Sequence, residues 1–179
     1  MEKMNNIIRL RSLTMEDART TWAWRNQEAV RNDFSGHPFH VSYEEEKAWY
    51  EKNIHVNFPD SVFGVEVVDT QKLAGMTFLK SINLINRQAE FAILIDEAQS
   101  GRGYGREACY RTLVFAFSGL GLHRVFLRVR KDNAAAIRVY ESCGFKTEGT
   151  LRDDVYKQGV FRDQLIMAVL ENEFRKPGS

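Results

Sequence analysis

Cysteine is scarce in this chain: Cys109 and Cys143 are the only two among 179 residues. They lie far apart in sequence, each inside an apolar helical pattern. That excludes the dense disulfide framework of a small secreted domain and the paired spacing of a zinc site. The two read instead as buried thiols in a reducing cytosol. An excess of either charge is missing too. Lys and Arg total 25 against 24 for Asp and Glu, a net charge of +1, which offers no chain-wide field for nucleic acid or an anionic membrane. No apolar run approaches the roughly 20 residues of a membrane helix, and residues 1–6 lack the apolar centre of a signal peptide. Repeats, low-complexity tracts and linkers are absent, as are a Ser-His-Asp or Cys-His arrangement and any His/Cys spacing suited to a metal. What remains is 44% hydrophobic and 27% charged, ordinary for a globular chain long enough to bury a real core. The expectation is one cytoplasmic domain over residues 1–179, frayed at 1–6 and 175–179, with no metal, nucleic acid or membrane partner.

Taken in order, residues 7–13 alternate as a first strand. Thr14 caps a helix to about Gln27, with Glu16 and Asp17 in its first turn. Trp22, Trp24 and Arg25 on that helix form an aromatic substrate wall, or else at least one tryptophan packs in the core. Residues 32–40, with Gly36, Pro38 and the histidines His37 and His40, read as a loop. Ser42-x-x-Glu45 is a capping box that opens a second helix to about Asn53. The run Glu44-Glu45-Glu46 is either solvated charge favoured by the helix dipole or an attractor for a cationic amine. Residues 61–68 and 73–84 form a hairpin about the turn 69–72. Later come a strand at 123–130, a helix at 133–142, and closing strands at 146–156 and 161–171.

The stretch from Ala89 to Phe145 organises the rest. Residues 89–95 (AEFAILI) read as a buried strand. Ser100-Gly101-Arg102-Gly103-Tyr104-Gly105-Arg106 then places three alternating glycines directly before an apolar helix at 107–117. Such glycines let backbone approach a ligand closely, and a helix N-terminus offers unpaired N–H groups and partial positive charge suited to phosphate. The dinucleotide pattern G-x-G-x-x-G would need glycine where Arg106 stands, and no Gly-Lys-Ser/Thr follows for a Walker loop.

About thirty residues on, Asn133-x-x-Ala136-x-x-x-Tyr140-x-x-x-Gly144-Phe145 follows. With both blocks in order, the chain resembles the GNAT acyl-CoA N-acetyltransferase superfamily, whose signature is Q/R-x-x-G-x-G/A followed by N-x-x-[SA]-x-x-x-Y-x-x-x-G-F. Ser100 departs from the usual Gln or Arg. The opening Leu10-Arg11-Ser12-Leu13, the stretch Trp24-Arg25-Asn26 and the late Gly159-Val-Phe-Arg162-Asp163 are similar to the branch of ribosomal-protein N-terminal and spermidine N-acetyltransferases.

The resemblance implies an α/β (α+β) GNAT fold, a mixed and mostly antiparallel sheet splayed at its central strands with helices on both faces. It implies acetyl-CoA as co-substrate and a primary amine as acceptor, with dimers or larger rings common in the branch. The turn Gly101, Arg102, Gly103, Tyr104, Gly105 and Arg106 would hold the pyrophosphate. Ile93, Leu94 and Ile95 would pair with the pantetheine arm and turn one N–H toward the thioester oxygen. Asn133 and Ala136 would contact the cofactor. Tyr140 would be the general acid, since a phenol of pKa about 10 is protonated at neutral pH. Glu90 is the candidate general base, or else a strand-end carboxylate paired with Arg87 or Lys80. Glu66 is a more distant candidate, and a reaction with no dedicated base is the further alternative. His37 and His40, in the connection that walls the acceptor pocket in this superfamily, are acceptor-site candidates or solvated loop residues. The acceptor stays open among a protein N-terminus, a polyamine and an amino sugar. The loop that is acidic in spermidine acetyltransferases here reads Asp33-Phe-Ser-Gly-His-Pro38, against polyamine specificity. A non-catalytic acyl-CoA-binding module is the rival reading.

Overall fold

Hydrophobic side chains fall on both faces of the strands from Ser61 to Ile95, and each face finds its own helices. A computed structural model describes residues 6–33, 39–54 and 60–174. The frayed ends expected at 1–6 and 175–179 lie outside these except for Asn6, and so do His37 and most of the loop expected at 32–40.

The strands are β1 (Ile8–Arg11), β2 (Ser61–Val67), β3 (Leu73–Asn83), β4 (Gln88–Ile95), β5 (Arg124–Arg130), β6 (Lys146–Lys157) and β7 (Val160–Leu170). They form one sheet in the order β1-β2-β3-β4-β5-β7-β6. Only the central β4–β5 pair is parallel; every other pair is antiparallel. The helices are α1 (Ala18–Arg25), α2 (Glu28–Asp33), α3 (Tyr43–Asn53), α4 (Tyr104–Val114) and α5 (Ala134–Ser142). The single helix expected from Thr14 to Gln27 is broken. A 3-10 turn at Met15–Asp17 precedes α1, and α2 reaches into the expected loop. Ser42 caps α3 as its sequence suggests: its side chain accepts from the Glu45 N–H, and the Glu45 carboxylate accepts from the Ser42 N–H.

Period-two alternation sorts the core. Leu79, Ala89, Phe91 and Val125 pack with α4 and α5 residues such as Leu113 and Tyr140. Met76, Phe78 and Leu94 face the other way, against Trp24 and Tyr50 of α1 and α3. Helices therefore cover both faces. A buried Thr112 hydroxyl pairs with that of Thr77 at 3.0 Å and pins α4 to β3.

Gly75 on β3 is obligatory on steric grounds. A Cβ there would lie 2.4 Å from the Leu94 carbonyl oxygen and 2.7 Å from Ile95 Cδ1. Gly75→Ala is expected to cost about 2 kcal/mol, lowering Tm by roughly 4–8 °C. Thermal melting checks this; an unchanged melt would mean that β4 shifts freely.

Candidate functional site

Two strands that begin as partners come apart in mid-sheet. β4 and β5 pair only through Gln88↔Arg124, Ala89↔Val125 and Glu90↔Phe126. Beyond that point β4 stays bonded to β3 as far as Ile95, and β5 stays bonded to β7 as far as Arg130. The facing edges are not bonded to each other. Buried peptide groups demand hydrogen-bond partners, so this edge suits a ligand that carries amides. A cavity of about 660 Å³ opens in the fork, the size of a small-molecule site. Glu90 and Phe91 to Ile95 form one wall and Arg128 to Arg130 the other, while Ser100, Asn133, Ala136 and Tyr140 also line it. From β6 and β7, Asp154, Val155 and Gln164 reach the same cavity.

At the end of β4 the chain turns through Gly101 (φ +76°) and Gly103 (φ +81°). Both are in the left-handed region that glycine occupies without strain. Gly103 is the N-cap of α4 and offers no side-chain cap, which leaves first-turn N–H groups to a ligand. The helix start abuts the fork, since a Cβ on Gly105 would lie 3.5 Å from Ile95 Cγ1. The Tyr104 ring packs beside Ile8 and Val65, which leaves its backbone in the turn, the part that the expected pyrophosphate contact uses. Arg102 and Arg106 are exposed and lie outside the cavity wall.

Asn133 caps α5 by accepting from the Ala136 N–H at 3.1 Å. One turn on, the Tyr140 ring stands edge-on to Phe91, with centroids 6.2 Å apart, and also meets Phe145. The residue is 8% exposed. Burial pushes its phenol well above the ordinary value, with Cys109 and Cys143 adding to the effect, so the hydroxyl keeps its proton at neutral pH. Cys109 of α4 lies beside Cys143 at the C-terminal end of α5, and burial together with that neighbour raises the Cys109 thiol. Cys143 Sγ donates to the Arg106 carbonyl at 3.6 Å. Both are free thiols.

Glu90 stands directly across from Lys80. Arg87, its other suggested partner, turns away, and its guanidinium donates to the Gly121 carbonyl and to Glu171. Glu66 is no candidate base. It is buried between the guanidinium groups of Arg9 and Arg11, at 2.6 and 2.5 Å, and these hold its carboxyl below the usual range against the opposing effect of burial. His40 bonds to Arg31 at 2.9 Å and is exposed. Trp24 is core, as expected of one tryptophan. Trp22 is not a substrate wall: its indole donates to the Val41 carbonyl and its ring meets Tyr43.

A second cavity of about 200 Å³ adjoins the first, and both are lined by Lys80 and Leu94. Trp49, Phe78 and Met76 give it an apolar wall, with Thr21, Arg25 and Asp60 at its polar side. Behind it lies a correction to the solvated acidic run: Glu46 is fully buried. Its carboxylate accepts from Thr21 Oγ1 at 2.6 Å and from Arg25 Nη1 at 3.1 Å. Thr21 has one hydroxyl proton and gives it to Glu46, so the Tyr50 hydroxyl, 2.9 Å away, donates back to Thr21. Sequence alone marks neither Trp49 of α3 nor Arg128 of β5 as a cavity residue, and it offers Lys80 only as a partner of Glu90, because nothing local shows which helix or strand residue faces a cleft.

A sequence profile described as an acetyltransferase (GNAT) domain matches residues 8–146. A spermidine N(1)-acetyltransferase of Vibrio cholerae is 34% identical over 172 residues, 96% of this chain and 97% of that protein. A putative ribosomal N-acetyltransferase of Bacillus subtilis is 32% identical over 102 residues, 57% of this chain and 56% of that one. The crystal structure of spermidine N-acetyltransferase from Vibrio cholerae in complex with CoA and spermine superposes with a TM-score of 0.87 at 32% identity. That superposition covers 94% of this chain and 98% of the other.

Proposed function

Because this chain belongs to the GNAT acetyltransferase family, we propose that its parted strands hold acetyl-CoA and that the cleft acetylates a primary amine by direct attack in a ternary complex. One observation carries the reading. An unbonded strand edge runs straight into the uncapped N-terminus of α4, the pairing that an amide-bearing arm ending in a pyrophosphate requires.

In this reading the first-turn N–H groups after Gly103 hold the pyrophosphate, and Arg102 and Arg106 add charge beside it. Asn133 and Ala136 contact the cofactor from α5. The edge at Ile93, Leu94 and Ile95 pairs with the arm and donates one N–H to the thioester oxygen as negative charge develops there. Glu90 takes a proton from the ammonium, directly or through water, and the free amine then bonds to the carbonyl carbon. As the C–S bond breaks, Tyr140 gives its phenolic proton to the departing thiolate, and the second proton of the attacking nitrogen passes to water, which returns a proton to the tyrosinate. We place the reaction in the cytoplasm. Among the described residues no helix is long and apolar enough to cross a membrane. The Vibrio cholerae relative and the superposed structure are named for spermidine and the Bacillus subtilis relative for ribosomal acetylation, so a polyamine is the first acceptor to assay and a protein N-terminus the second.

A thermal-shift comparison tests the reading. Acetyl-CoA at one hundred times its Kd should stabilise the fold by about 2.7 kcal/mol, while ATP and NAD do nothing. Thiol release with an amine acceptor should follow. A melt that acetyl-CoA leaves in place would remove the cleft as its binding site.

A further inference from the structure

The open question at this cleft is which amine it takes, and three neighbouring strands bear on it. Lys80, Glu90 and Phe126 stand in register across β3, β4 and β5, so their side chains share one face. Alternation puts Arg128 on that face as well, two residues or about 7 Å further along β5, where the strands have parted. Lys80 and Arg128 both line the main cavity, and Lys80 also lines the second, with its ammonium over the Phe78 ring that walls the latter.

The arginines on this face of β5 differ. Arg124 is paired with Glu148, and Arg130 donates to Asp132 at 2.8 Å. Arg128, exposed to the cavity, has no acidic partner among the described residues. Glu90 thus shares its face with Lys80, directly across from it, and with Arg128, a cation that no carboxylate of the described residues grips in an ion pair. A polyamine, which brings only positive charge, would lay an ammonium beside one of them. A guanidinium, by contrast, is a fork built for carboxylate or phosphate.

We infer that the acceptor is an amine that carries its own anionic group, with the amine at Glu90 and the anion held by Arg128 and Lys80. The inference rests on the acetyl-CoA reading and narrows its acceptor. It departs from the polyamine that the Vibrio cholerae relative's name suggests. Glu97 and Asp154 also line the cavity and give the ammonium end of such an acceptor further carboxylates.

Matched acceptors decide it, with thiol release as readout. Amino acids are compared with their carboxamides, glucosamine 6-phosphate with glucosamine, and all of them with spermidine. The anionic member of at least one pair should exceed its neutral counterpart and spermidine about tenfold in kcat/KM, and the two pairs separate carboxylate from phosphate. Arg128→Gln and Lys80→Met should erase that preference through the acceptor KM, leaving the acetyl-CoA KM and the melting temperature as they were. Spermidine outpacing every anionic amine, no anionic amine being acetylated, or both variants keeping the preference would each overturn the inference while acetyl-CoA binding stands. Absence of an acetyl-CoA thermal shift would instead take down the parent reading, and this one with it.

Discussion

Tyr140→Phe should lower kcat by about 10²- to 10⁴-fold while leaving acetyl-CoA affinity nearly intact. The substitution removes one oxygen and keeps the ring between Phe91 and Phe145, so the packing of α5 survives. What it loses is a proton donor in the cavity wall. A thiolate leaving a dry cleft without a proton is a poor leaving group, and the loss belongs to the chemical step. Burial holds the phenol above its ordinary pKa, so the wild-type enzyme should show no fall in kcat from phenol ionisation up to about pH 10. Single-turnover rates across pH 6–10, measured beside acetyl-CoA titrations on both proteins, check both statements. Unchanged turnover on a verified acceptor would remove Tyr140 from the chemistry and favour the rival reading of a binding module.

Glu46→Ala should be the most damaging substitution away from the cleft, with a loss of about 3 kcal/mol and a fall in Tm of roughly 6–12 °C. The carboxylate is fully buried and accepts hydrogen bonds from Thr21 and Arg25. Its removal takes the short acceptor from the Thr21 hydroxyl, leaving it the Ala18 carbonyl at 3.3 Å, and opens a void between α1 and α3. The side chain of Arg25 is 32% exposed and turns to water after the loss, which keeps the effect at the lower end for a broken buried pair. Urea and thermal unfolding measure it. A melt within a degree or two of wild type would mean that water fills the site and replaces the carboxylate.

These two residues divide on legibility. Tyr140 is singled out through the resemblance, because Asn133, Ala136, Gly144 and Phe145 match the superfamily's second motif around it. Glu46 was read as solvated, because three carboxylates in a helix's first turn look alike to any local rule, and the 3.6-residue period that buries one of them matters only once α1 lies alongside. Glu66 failed as a candidate base for the same reason. Its strand alternation was visible, but Arg9 and Arg11 reach it from β1, more than fifty residues away in sequence.

Period and punctuation alone determined the order of the strands, the glycine turn and the two blocks that flank the cleft. Each is a local property, since alternation, caps and left-handed glycines act within a few residues. The parting of β4 from β5, and therefore the cavity that Lys80, Glu90 and Arg128 line, was decided by tertiary structure. β3 and β7 each hold one strand by its outer edge, and a gap between two strands is written in neither of them.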